Sequence, residues 1–161
     1  MDELIGRSFG AYQIVDKLGE GGMAVVYRGF QPSLNRYVAI KILRGELARD
    51  QEFVTRFQRE ALAAAKLSHP NIVHVYDAGL ANGIYYIAMD YVDGGSLRDL
   101  IEQGALPTER AIGIVIQMAN ALDYAHQQGL IHRDVKPNNV LMTRDGRPLL
   151  TDFCIAKMLD S

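Results

Sequence analysis

The sequence predicts an α+β fold, a five-stranded antiparallel sheet with one helix followed by a mainly helical region, on three observations. Three β-rich runs, residues 12–18, 24–30 and 37–43, succeed one another with no room for a helix between them, so they pair as an antiparallel meander. Across residues 51–67 the apolar side chains Phe53, Phe57, Ala61, Ala64 and Leu67 recur at helical spacing. At Gly94 and Gly95 the composition turns from strand-rich to helix-rich, which divides the chain into residues 10–92 and 93–161.

Each element has a local reason. Residues 1–11 read as an irregular lead-in. Gly19, Gly21 and Gly22 make a glycine-rich turn after the first strand, and Pro32-Ser33-Leu34-Asn35 turns the chain before the third. Asp50 is placed to cap the helix, and His69-Pro70-Asn71 stops it. Two further strands, 72–76 and 84–91, flank a turn at Asn82-Gly83. Ser96 with Asp99 three residues on forms a capping box for a short helix over 96–103, closed by Gly104. The longest helix spans 108–128, with Ala111, Val115, Met118, Leu122 and Ala125 as its apolar stripe and Gly129 past its end. A polar loop follows, then apolar runs at 140–142 and 148–150 on either side of Asp145-Gly146.

The bulk composition excludes several classes. The 161 residues are 48% hydrophobic and 22% charged with a net charge of −2, ordinary for a globular chain long enough to bury a core. No Lys/Arg block stands out, so nucleic acid is not an expected partner. The single cysteine, Cys154, excludes an internal disulfide and suits a reducing compartment. The acidic start Met1-Asp2-Glu3 is no signal peptide, and no apolar run reaches the roughly 18 residues of a membrane span. A soluble, cytoplasmic chain is expected, with a membrane anchor in a longer parent left open.

The densest chemistry lies at residues 131–142, where Asp134, Lys136 and Asn139 share one short loop. A carboxylate takes or orients a hydroxyl proton, an ammonium steadies a phosphoryl oxygen and an amide oxygen holds a metal ion. A polar turn between a helix and a strand would use the same residue types. Gly19-Glu20-Gly21-Gly22-Met23-Ala24-Val25-Val26 joins two strands, and its glycines would let backbone N–H groups approach phosphate oxygens, although a plain hairpin also suits them. A dinucleotide-binding fold would have such glycines open a helix, and the Gly-Lys-Ser/Thr of a Walker A loop is absent. In Val38-Ala39-Ile40-Lys41 the strand alternation puts Ala39 and Lys41 on one face. The small residue leaves room for a flat ring and the cation reaches phosphates; a lysine snorkelling from a strand end is the plain alternative. Glu60 falls at the edge of the buried helix face, as a partner for Lys41 or as a solvated rim residue. His69, His74 and His126 have no carboxylate or cysteine at ligand spacing and read as structural.

In order and spacing, the glycine turn, Val38 to Lys41, Glu60, His132 to Asn139 and Asp152-Phe153 resemble the signature set of protein kinases. The likeness is to the bacterial, eukaryotic-like serine/threonine kinases and covers residues 10–157. It implies a protein-kinase-like fold, with residues 10–92 as the strand-rich lobe and hinge and 93–161 as an incomplete helical lobe with the catalytic loop. It implies ATP and Mg2+ as cofactors and a protein Ser/Thr hydroxyl as acceptor. Asp134 would be the catalytic base, Lys136 would contact the γ-phosphate, and Asn139 and Asp152 would hold Mg2+. Lys41 would pair with the α/β-phosphates and with Glu60. Leu18, Gly19, Glu20, Gly21, Gly22, Val26 and Ala39 would bind the nucleotide, with Met89 as gatekeeper and the backbone of Asp90 and Val92 at the adenine edge. Lys136 resembles the serine/threonine branch rather than the tyrosine branch, and Arg133 disfavours small-molecule phosphotransferases.

Three departures from that pattern bear on function. Ala24 replaces the third glycine, at a cost of about 1 kcal/mol if its φ is positive. Cys154 stands where the pattern has the glycine of Asp-Phe-Gly, which narrows the backbone moves beside Asp152. The sequence stops at Ser161, before most of the activation segment and the Ala-Pro-Glu element. A serine/threonine kinase is the expected function, and an ATP-binding fragment or pseudokinase without transfer is the alternative. By itself the 161-residue chain is expected to be poorly stable, self-associating and catalytically silent, because its long helix would leave an apolar stripe uncovered.

Overall fold

The computed structural model describes residues 2–152. The chain divides into two units, one of Met1–Ala65 with Val75–Tyr91 and the other of Lys66–His74 with Val92–Ser161.

The first unit is an antiparallel sheet in the order β1-β2-β3-β4-β6-β5. Its strands are β1 (Ser8–Phe9), β2 (Tyr12–Glu20), β3 (Ala24–Gln31), β4 (Arg36–Leu43), β5 (Val75–Ala81) and β6 (Ile84–Asp90). The meander over β2, β3 and β4 is as the sequence predicts. The sixth strand, β1, lies in the stretch read as an irregular lead-in. Gly10, at φ +57°, lets Phe9 fold back against Tyr12, and Phe9 is buried to 1% exposure. Two residues are too few to show a period, which is why the sequence hid them. Phe9, Tyr12, Ile14, Tyr27 and Ile40 belong to the core cluster of this unit. Ala24 begins β3 opposite Leu43 without a left-handed φ, so the strain anticipated for it is absent.

Helix α1 (Gln51–Ala65) buries Val54, Phe57 and Ala61 and packs against β5. Asp50 caps it, its Oδ1 accepting from the Glu52 N–H at 3.0 Å. Asn82 (φ 53°) and Gly83 (φ 77°) supply the two left-handed residues of the tight turn between β5 and β6.

The predicted strand at 72–76 is displaced: β5 starts only at Val75. Ile72 and Val73 instead dock in the second unit, where Ile72 bridges Leu150 and the Val73 N–H donates to the Leu150 carbonyl at 3.0 Å. Residues 66–74, read from sequence as part of the strand-rich half, therefore pack with the helical half. Leu67, assigned by its spacing to the stripe of α1, lies past the helix end and is buried in the second unit's cluster.

That second unit holds α2 (Leu97–Glu102), α3 (Thr108–Gln127), β7 (Val140–Met142) and β8 (Pro148–Leu150). The capping box of α2 forms: Asp99 N–H donates to Ser96 Oγ at 3.1 Å and Ser96 N–H to Asp99 Oδ2 at 2.9 Å. Helix α3 buries Ile114, Met118, Ala121 and Ala125, not the full predicted stripe, and Val115 is 65% exposed. Ile112, Ile114, Val115 and Ile116 are all apolar, so spacing alone did not select the inner face. Ile114 wins because it joins Leu67, Ile72, Val140 and Leu150 in one cluster. Among the described residues, no helix is long and apolar enough to cross a membrane.

Candidate active site

The loop between α3 and β7 is built by hydrogen bonds from within the second unit. Gly129, at φ +85°, closes α3 as predicted, and the Leu130 N–H returns to the Ala125 carbonyl at 2.9 Å. His132 then turns inward to 1% exposure. Its Nδ1 accepts from the Asp134 N–H at 3.1 Å while its Nε2 meets the Thr151 carbonyl at 2.6 Å. An N–H donor on one side and a carbonyl on the other fix the tautomer with hydrogen on Nε2. Between these anchors Arg133 is held at φ +74°, a conformation that an L-residue keeps only where its surroundings over-determine it.

Asn139, 7% exposed, organises the acid. Its Nδ2 donates to the Asp134 carbonyl at 2.8 Å and to Asp134 Oδ2 at 3.2 Å. Lys136 Nζ lies 3.3 Å from the same Oδ2. Both side chains of that ion pair are partly exposed, so it adds little stability. Asp134 Oδ1 and the Asn139 amide oxygen accept no hydrogen bond among the described residues. The Asn139 carbonyl accepts from the Thr151 N–H at 3.0 Å, which delivers the next residue, Asp152, in a left-handed conformation at φ +61°.

Asp134, Lys136 and Asn139 are thus brought together as their spacing predicts, and Asp152 is tethered to them through Thr151. Among the described residues, no three His, Cys, Asp or Glu side chains form a metal cage. Mg2+ does not require one, because it binds through one or two carboxylates, water and substrate phosphates. The unengaged amide oxygen of Asn139 and the carboxylate of Asp152 fit such an ion by donor type. Cys154 lies outside the described residues.

In the first unit the glycine turn joins β2 to β3. None of Gly19, Gly21 and Gly22 has a positive φ, and a Cβ on Gly19 or Gly22 would meet nothing within 4 Å. The backbone therefore does not demand glycine at Gly19 or Gly22, and the space beside them is open. Glu20 is engaged by the Lys17 ammonium at 3.2 Å and the Arg44 guanidinium at 3.1 Å, and hydrogen bonds from these two hold its carboxyl below the usual range. Arg44 also donates from Nε to the Gly21 carbonyl at 2.8 Å.

Strand register gathers the remaining residues of this half. Lys41 stands between Val26 on β3 and Ile87 on β6, and Ala39 stands beside Met89. Ala39 and Lys41 are each 7% exposed, so the face they share is largely withdrawn from water. Glu60, on α1, also has a buried carboxylate oxygen, and a buried charge is tolerated only beside a donor or a counter-charge. Asp90 accepts a hydrogen bond from the Tyr76 hydroxyl; burial first and then this bond push Tyr76 up to about 12. Leu18 stays 45% exposed, and Val92 is half-buried in the second unit.

Two residues escaped sequence reasoning. Thr151 anchors His132 and Asn139 through its main chain, and Asn71 reaches residues 46 and 77 positions away. Main-chain partners and long-range contacts leave no local signal.

The chain matches the family model described as protein kinase domain over residues 12–161. It is 51% identical over 160 residues to a Clostridium perfringens protein named as a probable serine/threonine-protein kinase, covering 98% of this chain and 23% of that protein. Identity to the serine/threonine-protein kinase PrkC of Bacillus subtilis is 48% over 160 residues, 98% of this chain and 25% of that protein. The crystal structure of the Mycobacterium tuberculosis PknI kinase domain superposes with a TM-score of 0.80 at 44% identity, over 92% of this chain and 60% of that one. The chain spans about a quarter of the length of the curated relatives it matches. With its motifs, its two units and these likenesses in agreement, the chain belongs to the protein kinase domain family.

Proposed function

We propose that this chain carries the nucleotide-binding and catalytic residues for ATP-dependent phosphoryl transfer to Ser or Thr hydroxyls of a protein substrate. The observation that supports this most is the Asp134 carboxylate, whose Oδ2 is engaged by Asn139 and Lys136 while Oδ1 is left to accept.

Oδ1 of Asp134 takes or orients the proton of the acceptor hydroxyl, and the two contacts on Oδ2 keep the carboxylate from turning away. Lys136, beside that carboxylate, meets the negative charge of the phosphoryl group in transit. Lys41 grips the phosphates of ATP from the sheet, with Glu60 as its counter-charge, and the open glycine turn lets backbone N–H groups approach the same phosphates. Leu18, Val26, Ala39 and Met89 offer apolar surface to the adenine, and the backbone at Asp90 and Val92 reads its edge. The Asn139 amide oxygen and the Asp152 carboxylate hold Mg2+, which when bound offsets phosphate charge and orients the phosphates.

The test is transfer of labelled γ-phosphate by the full protein, followed by analysis of the modified amino acid. Phosphoserine or phosphothreonine is expected. Phosphotyrosine alone, or ATP binding with no transfer at all, contradicts the proposal, and the second outcome is that of a nucleotide-binding pseudokinase.

A further inference from the structure

The short strand β8 ends on Thr151 and Asp152, yet a pair of three-residue strands is marginal by itself. It is held from a second side. Asn71, 8% exposed, donates from Nδ2 to the Pro148 carbonyl at 2.9 Å, and its own carbonyl accepts from the Leu150 N–H at 2.8 Å. The Val73 N–H then takes the Leu150 carbonyl at 3.0 Å. On the other side the Thr151 N–H and carbonyl go to Asn139 and His132. The main-chain groups that lead into Asp152 are therefore clamped from two directions, and the left-handed φ of Asp152 follows directly on the clamp.

The Asn71 side chain is itself fixed. Its amide also donates to Gln117 Oε1 at 2.9 Å, and Gln117 Nε2 donates back to the Gly113 carbonyl of α3 at 3.3 Å. Its main-chain N–H closes a small turn on His69 Nδ1 at 3.0 Å. A buried amide with both hydrogens engaged on carbonyl-type acceptors cannot be replaced without leaving the Pro148 carbonyl unpaired.

We propose that Asn71 is a positioning residue for the metal-holding carboxylate of Asp152, acting through Pro148 and Leu150; this rests on the functional reading above. Outer residues that orient a metal ligand commonly matter to metal affinity nearly as much as the ligands themselves. Asn71 touches no reacting group. Its effect belongs on the metal, not on the nucleotide.

The experiment is Mn2+ binding to the full protein loaded with ATP, followed by paramagnetic resonance, with metal-free ATP affinity measured alongside. Asn71→Ala is expected to weaken Mn2+ by about tenfold or more while metal-free ATP affinity changes by less than about twofold. Asn71→Ser, which keeps the main-chain bond to Leu150 and loses the bond to Pro148, gives the same reading should the alanine variant not fold. Met118→Ala, which loosens the same core but removes none of the clamp's hydrogen bonds, is expected to keep Mn2+ affinity within about twofold. Wild-type Mn2+ affinity in both Asn71 variants, or an equal loss in Met118→Ala, overturns the proposal alone. A wild-type protein that binds ATP but no Mn2+ overturns the functional reading and this proposal with it.

Discussion

Asn139 holds Asp134 at two points, its Nδ2 reaching the main-chain carbonyl at 2.8 Å and the carboxylate Oδ2 at 3.2 Å. One buried amide thereby fixes both the backbone and the rotamer of the acid. Replacing it by a carboxylate removes the donor and sets like charges together. Asn139→Asp should lower stability by about 1–3 kcal/mol, read as a fall in urea midpoint at unchanged slope. An unchanged midpoint would mean that Asn139 does not hold the loop.

Lys41 is the cation assigned to the phosphates, and at 7% exposure its ammonium stands in little water. Charge-assisted contacts of that kind contribute roughly 1.5–3 kcal/mol, so Lys41→Ala should weaken ATP binding by about tenfold to hundredfold. Equal calorimetric affinities for wild type and variant would remove Lys41 from the site.

Two glycines with opposite surroundings make a paired test. A Cβ on Gly94 would sit 2.1 Å from the Met142 carbonyl oxygen, whereas one on Gly19 would meet nothing within 4 Å. Gly94→Ala must move backbone and should cost about 1–3 kcal/mol in stability, as overpacking does. Gly19→Ala should leave the melting temperature unchanged and weaken ATP binding if the turn covers phosphates. The opposite assignment of effects would contradict both readings.

Tyr76 and Tyr86 are each pushed up to about 12, by burial first and then by hydrogen bonds to Asp90 and Asp77 respectively. A phenol whose folded value lies above its unfolded value of about 10 favours the folded state with its proton on. That contribution is complete below pH 10 and is lost as pH rises toward 12. Spectrophotometric titration should show Tyr76 and Tyr86 among the tyrosines that ionise late in the folded chain and normally in urea, with Tyr12 also raised, by burial first and then by Asp77. Tyr86→Phe should delete one late step. If that step survives, another tyrosine carries it.

Much of this was legible in the sequence because the signals were local. The β2–β4 meander followed from three strands without room for a helix, and the capping box of α2 from Ser96 and Asp99 three residues apart. Asp134, Lys136 and Asn139 met because six residues of one loop carry them. What was hidden depended on partners far along the chain. Ile72 and Val73 read as strand by composition, yet their partner is Leu150. The inner face of α3 was set by the cluster around Ile114 and not by periodicity, since four neighbouring residues are equally apolar. The positive φ of Arg133 and Asp152 had no sequence mark either, because neither is glycine.

Asp134 is the residue on which the proposed chemistry turns, and Asp134→Asn in the full protein tests it most directly. The amide keeps the size of the carboxylate and removes its charge and its power to take a proton. Phosphoryl transfer should fall by a factor of about a hundred or more while ATP affinity stays within about threefold, because ATP alone presents no hydroxyl to that oxygen. Turnover comparable to wild type at equal ATP affinity would contradict the assignment of Asp134 as the catalytic base.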